Sequence, residues 1–143
     1  MQSLSPEQYA RLGELAQAWT QRHLKAAKAS ANFNPRLAAD ALCFQRHPGG
    51  QHDMLVGVLV TPASLALVML PASPDMPRPD EGERCRIPLP SGEYKFIADH
   101  LDDAHWYWRR ELLDDLSDII DRPQASRLAQ QLMERVMTPA ESS

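Results

Sequence analysis

Hydrophobic positions along the chain pass from a helical period to short continuous runs, then to strict alternation, and finally back to a helical period. Ser5 offers an N-cap, Pro6 suits the first helical position, and Gln8 stands where a capping box wants Glu or Gln. Tyr9, Leu12, Ala16, Trp19 and His23 then recur as one stripe, opposite Arg11, Gln17, Arg22 and Lys25. The spacing predicts an amphipathic helix over about residues 5–29. Asn34-Pro35 closes the following linker, because a residue before proline avoids the helical region.

The sheet region is expected over about residues 37–112. Leu37 to Arg46 reads either way, since LAADAL suits a helix and LCFQRH a strand. Pro48-Gly49-Gly50 is a turn. Met54 to Val60 and Leu65 to Leu70 are short runs rich in Val and Leu, joined by Thr61-Pro62-Ala63-Ser64, and predict a hairpin of central, well-covered strands. Half of the twelve prolines fall between Pro71 and Pro90, so the part up to Gly82 reads as an exposed loop. RCRIPL (84–89) and EYKFIA (93–98) then alternate around a Pro90-Ser91-Gly92 turn, and Pro88 marks an edge.

Residues 104–113 are ambiguous. Trp106, Arg109/Arg110, Leu113, Leu116 and Ile120 fit a helical stripe, and periodicity favours it; as a strand, Trp106, Trp108, Arg110 and Leu112 would share one face. A last helix over about 122–137 follows from Asp121 before Pro123 and from Ala125, Leu128, Leu132 and Val136. Strands bracketed by helices predict an α+β fold: a mainly antiparallel sheet of about five to six strands, with both helices packed on one face.

Composition narrows the class. A chain of 143 residues suits one domain spanning 1–143, and 43% hydrophobic against 24% charged residues is ordinary for a globular protein. The net charge of −4 lacks the basic footprint of a nucleic-acid binder. No run approaches the roughly 20 apolar residues of a spanning helix, so membrane insertion is not expected. The N-terminus shows no cationic head followed by an apolar run, which points to the cytoplasm. Cys43 and Cys85 read as free, partly buried thiols, and two cysteines cannot build a four-cysteine centre.

Candidate chemistry is sparse. His47, His52 and Asp53 surround the Pro-Gly-Gly turn, and His100, Asp102, Asp103 and His105 form a second loop cluster. Together they could serve a small metal-dependent enzyme, but solvated turn residues account for both, and the second lacks the i, i+4 spacing of a helical zinc site. Cys43 lies in an apolar run, where a thiol is inert. With no nucleophile elbow and no phosphate-cradling loop, no catalytic residue, metal or cofactor is assigned. The strongest surface candidate is His105 to Arg110 (HWYWRR), since Trp and Arg dominate binding hot spots. Trp106, Trp108, Arg109, Arg110, Asp114 and Asp115 are therefore the candidate partner-binding residues. Against that stands a reading in which the tryptophans fill the core and the arginines answer nearby acids. Residues 99–121 hold eight Asp/Glu against two Arg, an excess that would attract a basic segment or simply face water.

Three blocks, GVLVTPASLALVMLP (57–71), RCRIPLPSGEYKF (84–96) and the closing helix with its Asp-Arg-Pro start, resemble the HybE/HupJ family of [NiFe]-hydrogenase assembly chaperones. The Asn34-Pro35-x-Leu37 entry is similar too, and Thr61, Pro62, Pro90, Ser91 and Gly92 are the family-like turns. The resemblance implies a non-enzymatic chaperone that holds an unassembled hydrogenase subunit, or its twin-arginine signal region, until assembly. It also tips 106–111 towards strand. Two departures stand out. Ala63-Ser64-Leu65-Ala66 replaces an aromatic-rich segment, and the run from Arg110 to Asp115 replaces a Cys-Ser-Leu-x-Ser-Pro segment. A rubredoxin domain, present in some members, is excluded by the lack of any CxxC pair. Homodimerisation, as in a self-associating structural subunit, stays open.

Overall fold

The computed structural model describes residues 4–47, 54–72, 77–103 and 105–139; the Pro48-Gly49-Gly50 turn, His52 and Asp53 lie outside them. Along the chain run α1 (Pro6–Lys28), β1 (Asp40–His47), β2 (Met54–Val60), β3 (Leu65–Pro71), β4 (Arg84–Leu89), β5 (Gly92–His100), β6 (Trp106–Leu113) and α2 (Arg122–Met137). The strands form one six-stranded sheet in the order β1-β2-β3-β6-β5-β4, with every pairing antiparallel. The α+β class holds.

Both helix starts follow the expected chemistry. Ser5 Oγ accepts from the Gln8 N–H at 3.1 Å, and Gln8 Oε1 accepts from the Ser5 N–H at 2.9 Å, completing the capping box. Asp121 Oδ1 accepts from the Gln124 N–H at 2.8 Å. The buried stripes are rotated slightly from those read off the sequence. In α1, Leu12, Leu15, Ala18, Trp19 and Ala27 are buried, whereas Tyr9 is 59% exposed. In α2, Ala129 and Met133 form the seam with Ala125 and Val136, and Leu128 and Leu132 flank it.

One expectation is overturned: the helices do not share a face. Met54, Val56, Val58 and Val60 of β2 cluster with α2, whereas Leu55 and Leu59 cluster with α1. Strand side chains alternate, so these sets point to opposite faces. A strand apolar at every position exposes two apolar faces, and one helix is needed for each. Residues 106–113 are a strand because β6 closes the gap between β3 and β5, pairing Met69 with Trp108 and Ala98 with Trp108. Helical periodicity lost to backbone hydrogen bonding with two neighbours.

The ambiguous Leu37 to Arg46 stretch enters β1, which bulges. Leu42 pairs Val58 and Gln45 pairs Val56, so Cys43 and Phe44 together oppose Gly57. Cys43 takes a left-handed φ of 60°, a cost of about 1–2 kcal/mol for a side-chain-bearing residue. Phe44 then lies directly over Gly57, where an added Cβ would collide with its ring. Only glycine leaves room there.

The family-like turns have structural roles. Thr61 is 2% exposed, and its Oγ1 accepts from the N–H groups of Ala63 at 3.2 Å and Ser64 at 3.0 Å. Asn34, also 2% exposed, donates its N–H to the Pro62 carbonyl at 2.7 Å and its side-chain amide to the carbonyls of Leu116 and Ile119, both at 2.9 Å. Its Oδ1 accepts from the Arg36 N–H at 3.0 Å. Through its backbone N–H and its side chain, one buried asparagine thus joins the α1–β1 linker, the β2–β3 turn and the β6–α2 connection. At the other hairpin, the Ser91 N–H donates to the Val136 carbonyl at 3.1 Å, fixing the turn on α2, and Gly92 has a φ of 148°.

Candidate partner-binding surface

Strand β6 carries most of the residues singled out in the sequence and presents them on two faces. Trp106, Trp108 and Arg110 point towards the α2 side, while Tyr107, Arg109 and Glu111 point towards α1. Trp108 is 6% exposed and belongs to the core beneath α2, so its indole is not at the surface. Trp106 is half-buried beside it. Arg110 is exposed, its guanidinium 5.7 Å from the centre of the Tyr94 ring, in cation–π contact. Asp114 and Asp115 are exposed just beyond the strand. The Asp114 carbonyl accepts from the Asn32 amide, and Asp115 Oδ1 accepts from the Ser117 N–H at 2.9 Å. Hydrogen bonding from the Ser117 side chain, and then from its N–H, holds the Asp115 carboxyl below the usual carboxylate range.

On the α1 face the structure assembles a polar hub that sequence reasoning missed. Asp99 Oδ2 accepts from the Tyr107 hydroxyl at 3.1 Å and pairs with Arg109 Nε at 3.3 Å. His23 Nε2 is buried without a hydrogen bond and stands 3.6 Å from the same oxygen. The Trp19 and His23 rings are 5.6 Å apart, closing the hub from the helix side. Burial and the neighbouring carboxylate push the Tyr107 phenol far up, so it serves as a hydrogen-bond donor. Arg109 also reaches Glu111 at 3.7 Å. The hub pins α1 to β5 and β6 and orients Arg109. Asp99 and Arg109 are ten residues apart on different strands, so no local spacing reveals it.

The acidic 99–121 segment is largely consumed locally. Asp99 and Glu111 hold Arg109, Asp102 accepts from His105 at 2.9 Å, and Asp121 caps α2. The loop histidines are likewise employed. His100 Nε2 donates to the Pro79 carbonyl at 2.7 Å and its Nδ1 accepts from Arg78 at 3.1 Å. Arg78 also donates to the Asp103 and Asp102 carbonyls, latching the proline-rich loop onto the β5–β6 turn. His47 ends β1 and His100 ends β5, four strand spacings or about 19 Å apart. His47 and His100 are therefore not brought together, and among the described residues no group of His, Cys, Asp and Glu could hold a metal ion, so the metal-enzyme alternative is not favoured.

Cys43 and Cys85 are free thiols on opposite edge strands. That is far beyond the roughly 7 Å between Cα atoms that a disulfide tolerates. Burial raises the pKa of both, and Glu83 adds to the effect at Cys85. Each is only half-buried, on an edge strand.

Beyond Arg109 the α1 face opens. None of the core residues under α1 comes from β4 or from the body of β5 (93–99). A trough of about 630 Å³ lies there, with Arg84, Arg86, Lys95 and Arg109 around Ile97. These cations sit on alternate positions of three strands, and the pairing of the strands is what gathers them.

Comparison with known proteins agrees with this arrangement. The family model described as "[NiFe]-hydrogenase assembly, chaperone, HybE" matches residues 10–143. A relative from Azotobacter chroococcum mcd 1, "Hydrogenase expression/formation protein HupT", is 28% identical over 109 residues, covering 76% of this chain and 70% of that protein. The solution structure of HybE from Escherichia coli superposes with a TM-score of 0.59 at 24% identity, over 72% of this chain and 62% of that one, and so shares the fold. With a match running through both helices and all six strands, the chain belongs to the HybE family of [NiFe]-hydrogenase assembly chaperones.

Proposed function

We propose that this chain is a non-enzymatic, single-domain chaperone of [NiFe]-hydrogenase maturation, working in the cytoplasm on an unassembled hydrogenase subunit or its signal region. Family membership across residues 10–143 carries the reading. The described helices include none long and apolar enough to cross a membrane. In this reading Trp106, Arg109, Arg110, Asp114 and Asp115 contribute to client contact from the rim of β6, and Trp108 supports them from the core. Exposed edges and sheet faces capture polypeptide through backbone bonds and alternate side-chain contacts.

Co-expression of the chain with each hydrogenase subunit precursor from its source organism tests the proposal. One precursor is expected to co-purify, and the assembled, mature enzyme is expected not to. Failure to retain either precursor would sink the assignment. A self-associating structural subunit would instead appear as a dimer by light scattering and leave both precursors behind.

A further inference from the structure

The open half of the α1 face carries a pattern that folding alone does not explain. Arg86 and Lys95 are directly opposed across β4 and β5 on the same face, an arrangement that destabilises a sheet. Arg84 and Arg109 stand on either side of Ile97, paired to it across neighbouring strands. Among the described residues Glu111 is the one acid lining the trough, and it is engaged with Arg109 at 3.7 Å. Arg86 meets Glu93 only at 3.9 Å, with both side chains more than half exposed, so the pair is weak. Arg84 and Lys95 make no ion pair among the described residues. Beside this face runs the outer edge of β4, which no described strand pairs.

We infer that the β4 edge and the trough beside it receive an extended acidic segment of a partner protein, added as a strand with acids at alternate positions. Arg84 and Arg86 are two residues apart, so their side chains stand about 7 Å apart along the strand, the repeat of same-face positions on an added strand. Alternate glutamates or aspartates would meet Arg84 and Arg86, and apolar residues between them would face the opposite side. Pro88 lacks an N–H, which confines the added ladder to the first part of β4. The inference rests on the chain being a protein-binding chaperone but not on which protein it holds. An arginine-bearing segment is the wrong partner for this face, contrary to what the acidity of residues 99–121 suggests.

The test is fluorescence anisotropy with a labelled ten-residue peptide of alternating Glu and Val, alongside the same peptide with Lys for Glu. The acidic peptide is expected to bind at low salt. Its affinity should fall roughly tenfold in Arg84→Glu/Lys95→Glu and in high salt. Should the reversal variant fail to fold by circular dichroism, Arg84→Gln/Lys95→Gln is read in its place. Equal binding of the lysine peptide, or indifference to both variants, overturns the inference. So does tighter binding of a single-stranded oligonucleotide, or a dimer that the variants dissociate. Repeating the precursor co-purification with the variant separates the two claims. Retention by wild type and variant alike removes this face while leaving the chaperone reading intact; no retention by wild type removes the chaperone reading, and the peptide titration still decides the face.

Discussion

Strands β2 and β3 are buried at every position, whereas β4 alternates exposed with half-buried residues until Leu89. The two regions belong to one sheet and differ in how many faces a helix covers. Along β2 and β3 a helix covers each face, and neither strand carries a polar side chain. Where α1 no longer reaches, the same backbone geometry presents arginine, lysine and isoleucine to solvent. The covered half holds the molecule together, and the open half is where another polypeptide can be met.

Five measurements would break or sharpen that contrast. Leu67, on β3 and fully buried under α2, should cost about 3 kcal/mol when cut to alanine, read from urea denaturation midpoints. A loss under 1 kcal/mol would mean the covered half is not a packed core. Asn34→Ala leaves the Leu116 and Ile119 carbonyls without their donor. It should cost about 2–3 kcal/mol and speed amide exchange in the β2–β3 turn as well as the β6–α2 connection.

Gly57→Ala forces a methyl into Phe44 and should cost about 2 kcal/mol. Combined with Phe44→Ala the penalties should be sub-additive, since the clash with the ring disappears and only the close approach to the Phe44 Cα remains. Additive losses would contradict the bulge geometry. Tyr107 supplies a pH signature. Its phenol keeps its proton in the fold, whereas the unfolded chain loses it above about pH 10. Its stabilisation is therefore complete below pH 10 and falls as pH rises further, by about 1.4 kcal/mol per pH unit. Tyr107→Phe should remove that part of the alkaline loss between pH 9 and 11. The smallest effect is expected from Ile97→Ala on the open half, below about 1 kcal/mol, in sharp contrast to Leu67.

Local chemistry made much of the fold legible. Ser5-Pro6 and Asp121 announced the helices because capping depends on residues within one turn. The Val/Leu runs of β2 and β3 and the alternating β4–β5 hairpin were readable because burial on two faces or on one leaves distinct periods. Arg109 and Arg110 were recognisable as surface candidates, and Trp106 and Trp108 as a pair sharing one face. What escaped was everything fixed by non-local pairing. Tyr107 is buried in a hub with Asp99 and His23, which lie on other elements. Arg84 and Lys95 come together only through the register of β4 on β5.

By itself the sequence determined the two helices, the β2–β3 and β4–β5 hairpins, their caps and turns, and the family blocks, because each of these is encoded by residues a few positions apart. Only the tertiary structure decided that residues 106–113 are a strand, that the two helices lie on opposite faces, and that cations from three strands gather into one trough. Those outcomes depend on which backbone hydrogen bonds with which, and on which face finds a cover. Such choices are made between segments tens of residues apart and leave no local period behind.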